Sequence, residues 1–247
     1  MKYIKGVHRH GSETFLIVSK NKKGLEPDSI IKTSTTKNGI DSIISEYQGI
    51  NWYNNLSKNK IDCNLDKKTK TYYRIEIKLN KGFFNIKTNT SYQEIRKYLD
   101  LTINHYIKIW YDYKNKKYSP FHGDLSLVGN VMFNEVNDVL FVDWEQFDYS
   151  SKMPTGLDIM MMIIENVWYE TLRSNQIPKV VLKHVKNSIQ NLIKAQLLSP
   201  LLQEKPAHST LNFINANIEI WRGQHYKLPV LKIPKEYINE IDNAFSN

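Results

Sequence analysis

FHGDLSLVGNVMFNEVNDVLFVDWEQFD, residues 121–148, is the stretch whose reading decides the fold. His122, Asp124, Ser126 and Asn130 crowd into one short turn between apolar flanks, and Asp143 and Glu145 follow a second apolar run. Residues 131–133 and 139–142 read as two short strands around the polar stretch 134–138, so a hairpin brings Asp143 and Glu145 back beside Asp124. A carboxylate that accepts a hydroxyl proton, with an amide and a second carboxylate that hold Mg²⁺ through oxygen, meets the needs of phosphoryl transfer from ATP.

Upstream, the first third reads as sheet. Residues 3–7 and 14–19 are β-rich runs joined by a polar hairpin stretch at 8–13, and residues 29–33 make a third strand carrying Lys32. Ile43, Tyr47, Ile50 and Tyr53 recur at helical spacing, which predicts an amphipathic helix over 41–56 with Glu46 on it. An ammonium on a strand, oriented by a carboxylate on the next helix, can bind the α and β phosphates of a nucleotide. Residues 71–77 form a further strand, ended by Asn80-Lys81-Gly82, a turn signal that suits a lobe boundary.

Downstream, the pattern is helical. Ser91 and Glu94 have the form of a capping box, and apolar residues from Ile95 to Tyr113 share one face, which predicts a long helix ending near Lys114. Residues 156–169, 180–198 and 209–222 read as further helices. The first of these is apolar nearly all round and so expected to be buried, with Met160, Met161 and Met162 as packing. The fold class expected is therefore α+β, with a β-rich lobe over 1–80 and a mainly helical lobe over 81–247.

HGDLSLVGN followed by VDWE resembles the aminoglycoside phosphotransferase and choline kinase family, the small-molecule branch of the protein kinase-like fold. The order of parts agrees over most of the chain: strand pair, Lys32 strand, Glu46 helix, hinge near 76–82, long helix, catalytic loop, metal hairpin and helical remainder. The resemblance implies a two-lobed kinase-like fold that binds ATP and Mg²⁺. In it Asp124 is the catalytic base, Asn130 and Asp143 ligate magnesium, Lys32 binds phosphate and Glu46 is its partner. His122 is a structural member of the loop, Glu145 lies at the metal or next to it, and Asp158 braces the loop. The spacing departs from the family's by one residue: Asp124 plus five is Gly129, and Asn130 comes one later, with Ser126 as the residue that could stand in.

Composition narrows the partners. The chain has 247 residues and a formal charge of +9, and residues 61–121 hold 13 Lys and Arg against 6 Asp and Glu. The runs at 67–70 and 114–117 read as a solvated basic face. No nucleic-acid recognition motif accompanies them, so nucleic acid is not the expected partner. No apolar run of membrane-spanning length appears, the start lacks a signal-peptide core, and the lone Cys63 can form neither an internal disulfide nor a zinc cluster, so the expected setting is cytoplasmic. Residues 146–247 hold 11 Lys and Arg against 9 Asp and Glu. That balance favours a neutral or anionic hydroxyl compound, such as a sugar or a surface-glycan precursor, over choline or an aminoglycoside. Trp168, Tyr169, Trp221 and Tyr226 could offer stacking faces for it. An inactive nucleotide-binding relative of the fold is the alternative reading.

Overall fold

The computed structural model describes residues 2–5, 13–18, 29–69, 71–87, 90–149, 152–174, 176–222 and 233–246. It is an α+β structure with an antiparallel sheet at the N-terminal end and a mainly helical remainder. Packing divides the chain into two compact units, Met1–Phe83 with Val142–Phe147, and Phe84–Phe141 with Asp148–Asn247. The first crossing falls three residues beyond the expected lobe boundary at 80, and the short segment after the hairpin joins the first unit. Among the described residues no helix is long and apolar enough to cross a membrane.

In the first unit, β1 (Lys2–Lys5), β2 (Glu13–Val18), β3 (Ser29–Ser34), β4 (Cys63–Thr69) and β5 (Tyr72–Lys78) form one sheet in the order β1-β2-β3-β5-β4, every pair antiparallel. The hairpin stretch expected at 8–13, with His8 and His10, falls almost wholly outside the described residues. Strand β4 has no counterpart among the expected elements: Cys63 and Leu65 alternate with Asn64 and Asp66, but Lys67 and Lys68 end the pattern after two apolar positions. An edge strand tolerates this, since only one side is paired and charge on it deters pairing with another chain. Helix α1 (Lys37–Leu56) starts four residues before its expected beginning, because Thr36 serves as N-cap and its hydroxyl accepts the Gly39 N–H at 3.2 Å. Ile43, Ile50 and Tyr53 of α1 and Ile75 of β5 are buried in this unit's core.

In the second unit, β6 (Phe84–Asn85), β7 (Val131–Phe133) and β8 (Val139–Phe141) form a small antiparallel sheet. The β7–β8 hairpin is as expected, and β6 is an addition too short to show in a sequence pattern. Helix α2 (Tyr92–Ile109) opens with the expected capping box of Ser91 and Glu94, but ends five residues before Lys114, in a tight turn over Tyr111–Tyr113. Trp110 closes it: the ring stacks on Tyr106 at 4.2 Å and its Nε1–H donates to the Pro120 carbonyl at 2.8 Å. The remaining helices are α3 (Leu157–Ser174), α4 (Lys179–Lys194), α5 (Pro200–Gln203), α6 (Pro206–Arg222) and α7 (Lys235–Ser246). Ile159, Met160, Met162 and Ile163 of α3 are buried, as an all-apolar helix requires. The side chains of Trp168, Tyr169, Trp221 and Tyr226 lie outside the described residues.

Candidate functional site

Strand β3 alternates, so Ile31 and Lys32 point to opposite faces of the sheet, yet both are buried. A buried ammonium must be paired, and among the described residues Lys32 has three partners. Its Nζ lies 2.6 Å from Glu46 Oε2 on α1, 2.9 Å from Asp143 Oδ1 and 2.5 Å from Glu145 Oε1. Asp143, in the left-handed backbone region at φ 64°, turns the chain directly after β8. From there Trp144 buries its ring against Trp52 and Tyr53 of α1, while its neighbours Asp143 and Glu145 reach Lys32.

Close approach of this segment to α1 depends on Gly49. A Cβ there would stand 2.7 Å from Trp144 Cβ and 2.9 Å from Phe147 Cβ, nearer than side-chain carbons approach. A glycine inside a helix costs about 1 kcal/mol relative to alanine, so it needs a reason, and this contact is one. That cost is the signal in the sequence from which Gly49 could have been singled out.

The electrostatics follow from the burial. Desolvation alone would lower the Lys32 ammonium, but the charges of Glu46, Asp143 and Glu145 override it and hold Lys32 well above its usual range. Burial pushes the Glu46 carboxyl up to about 8, against the pull of Lys32 and with the help of the two neighbouring carboxylates. Carboxylate oxygens of Glu46, Asp143 and Glu145 lie within 4.8 Å of one another, an all-oxygen donor set of the kind a hard divalent cation takes. Glu46 is 1 % exposed and Asp143 41 %, so solvent reaches the cluster from the Asp143 side.

In the second unit, the HGD turn is held by its backbone. Gly123 has φ 89°, a conformation open to glycine at no steric cost, and its N–H donates to Asp158 Oδ1 at 3.1 Å. The His122 N–H donates to Asp158 Oδ2 at 2.8 Å, so the Asp158 carboxylate in the first turn of α3 grips both amides of the loop. Burial raises the Asp158 carboxyl to about 7, opposed by these two amides and assisted by the charge of Asp124. His122 is fully buried, and its Nδ1 accepts the Asp124 N–H at 3.4 Å.

Asn130 turns back onto Asp124, its Nδ2 donating to the Asp124 carbonyl at 2.5 Å and to Oδ2 at 3.2 Å. The extra residue in the loop is taken up by the turn before it, closed by the Asn130 N–H to the Ser126 carbonyl at 2.9 Å. Ser126 thus takes part through its backbone, and among the described residues its hydroxyl makes no hydrogen bond. One contributor the sequence did not disclose is Asn85 on β6, whose Nδ2 donates to the carbonyls of Gly129 at 2.9 Å and Val131 at 3.2 Å.

The structure therefore gathers Lys32, Glu46, Asp143 and Glu145 in the first unit, and His122, Asp124, Ser126 and Asn130 in the second. The sequence matches no protein-family model and no curated protein.

Proposed function

We propose that the protein transfers a phosphoryl group from a magnesium-bound nucleoside triphosphate to a hydroxyl of a small molecule, on a kinase-like fold of the aminoglycoside phosphotransferase and choline kinase type. The observation that carries this reading is the convergence of Glu46, Asp143 and Glu145 on the buried Lys32 ammonium, at 2.5–2.9 Å. A structural ion pair needs one carboxylate. Three carboxyl groups facing a single ammonium leave negative charge over, which suits a cation-binding site better than a core contact.

Each residue then has a task. Lys32, oriented by Glu46, binds nucleotide phosphate oxygens; Asp143 and Glu145 would hold magnesium. When bound, the metal and the triphosphate supply an activated phosphoryl group whose charge is partly neutralised. Asp124 accepts the proton of the attacking hydroxyl at its carboxylate, and His122, Asn130 and Asp158 keep that carboxylate in place. The near balance of charge over residues 146–247 supports a neutral or anionic acceptor such as a sugar or glycan precursor.

The test has two arms. Melting with ATP, with and without magnesium, is expected to show a magnesium-dependent rise, about 2.7 kcal/mol of stabilisation at a hundredfold excess over Kd, lost in Asp143→Ala. In a screen of hydroxyl compounds, Asp124→Asn is expected to lower turnover by about 10²–10⁴-fold with melting unchanged. Unchanged turnover in that variant removes the base. No melting shift with nucleotide removes the whole reading.

A further inference from the structure

The second unit carries a surface made of one repeated pairing, apart from every residue assigned above. In YDYKNKKY, residues 111–118, Tyr111 is 57 % exposed and Tyr118 39 %, and Lys114, Lys116 and Lys117 are exposed beside them. Each ammonium sits over a ring of the same segment: Lys114 over Tyr111 at 4.4 Å, Lys116 over Tyr113 at 5.1 Å and Lys117 over Tyr118 at 5.3 Å.

The backbone beneath is pinned. Asn115, at φ 60°, donates its N–H to the Gln196 carbonyl at 2.8 Å and its side-chain amide to Gln196 Oε1 at 2.9 Å. The Thr155 N–H donates to the Lys117 carbonyl at 3.1 Å, and Tyr118 forms a bridge with Pro154. Asp148 exchanges both backbone hydrogen bonds with Phe121, which places the 64 % exposed Tyr149 at the next position of that short ladder. In the segment 111–118 only Asp112 opposes the lysines, and there is no arginine.

We propose that this tyrosine and lysine surface docks the protein on an anionic lipid bilayer, with the phenol rings at headgroup level and the ammonium groups among the lipid phosphates. Tyrosine is favoured at that depth because its ring has an apolar body and a polar tip. Each lysine near an anionic leaflet contributes roughly fivefold in affinity, within the short reach that salt screening allows. A backbone already held by Gln196 and Thr155 loses little freedom on docking. Single-stranded nucleic acid fits less well. Base stacking needs open ring faces along a groove, and here each of the three rings already has a face taken by an ammonium; the arginine fork that suits nucleic-acid phosphates is missing from the segment.

The experiment is co-sedimentation of the full chain with phosphatidylcholine vesicles, with and without phosphatidylglycerol, over a range of salt. Binding is expected only with the anionic lipid and should weaken as salt rises. The variant Lys114→Gln/Lys116→Gln/Lys117→Gln is expected to lose on the order of a hundredfold in vesicle affinity with an unchanged melting temperature. Tyr111→Ala/Tyr118→Ala should weaken the binding that survives at high salt. Absence of binding to anionic vesicles at low salt overturns the proposal, as does equal binding by the lysine variant. So does binding of single-stranded RNA, lost in the lysine variant, by a chain that ignores both kinds of vesicle. None of these outcomes depends on phosphoryl transfer.

Discussion

Lys32 is held by charges that arrive from as far as 113 residues away, whereas Asp124 is held by groups within six residues of it and, through the amides beside it, by one distant carboxylate. The first arrangement is electrostatic: three carboxyl groups, the buried Glu46 among them raised to about 8, are gathered around one buried ammonium. The second is a backbone arrangement, in which amides of His122, Gly123 and Asp124 and the side chain of Asn130 close a turn. The two should fail differently. Damage to the charge cluster should appear in stability and in nucleotide binding, and damage to the loop should appear in turnover.

The largest effect is expected from Lys32→Met. It leaves Glu46, Asp143 and Glu145 facing one another without their cation, and breaking a buried ion pair from one side costs about 3–5 kcal/mol. Urea unfolding at neutral pH measures this, and the loss should shrink in acid, where protonation removes the repulsion. A loss under about 1 kcal/mol at neutral pH would mean that the cluster is not held by Lys32.

Next comes Gly49→Ala. The added Cβ meets Trp144 and Phe147 at 2.7–2.9 Å, and overpacking of this kind costs about 1–3 kcal/mol. Because Trp144 lies between Asp143 and Glu145, the displaced segment should also lower the magnesium-dependent melting shift. Gly129→Ala in the loop is the matched control. Its Cβ would find only Ser126, at 3.8 Å, so neither stability nor the melting shift should change.

Much of this was legible in the sequence, but unevenly. The HGD turn, the β7–β8 hairpin and the capping box of α2 are local, and a local pattern is readable because the residues that make it are neighbours. Lys32 and Glu46 could be placed on adjacent elements and paired with each other, whereas Asp143 and Glu145 were expected at a metal and not on the lysine. What was not read was the edge strand β4, whose alternation spans only Cys63 and Leu65 before the lysines, and Asn85 on β6, whose target carbonyls lie 44 and 46 residues downstream. Gly49 stood in view, but the ring it admits is 95 positions away in sequence.

The two units also differ in how they should answer to pH. Both Glu46 and Asp158 have raised carboxyls, about 8 and about 7. The unfolded chain releases these protons near the ordinary value of about 4, so between that value and the raised one the folded state binds more protons. The stability they contribute is therefore complete on the acid side and is lost as pH rises, to about 7 for Asp158 and to about 8 for Glu46. Both falls begin at about pH 4, so Asp158→Asn should reduce the slope between about 4 and 7 and leave the fall from about 7 to 8, which belongs to Glu46, unchanged. It should also cost about 1–3 kcal/mol, because an amide can accept from only one of the two loop N–H groups and presents its own N–H to the other. An unchanged slope between about pH 4 and 7 in Asp158→Asn would assign that share of the fall to another group.

The smallest expected change, and the sharpest for the comparison, is Asn85→Ala. Asn85 is exposed and supports the loop only through the carbonyls of Gly129 and Val131, so the loss in stability should be about 0.5–1.5 kcal/mol, the net worth of an ordinary hydrogen bond. Yet those carbonyls flank Asn130, whose amide holds the Asp124 carboxylate at 3.2 Å. If the loop is organised by hydrogen bonds and the cluster by charge, turnover should fall severalfold in this variant while the magnesium-dependent melting shift stays at its full size. The opposite pattern, a reduced shift with normal turnover, would mean that the turn supports nucleotide binding and that Asp124 is positioned without it. Measuring kcat and the melting shift on the same preparation separates the two, because loss of folded protein would lower the apparent kcat without moving the midpoint of the remaining transition.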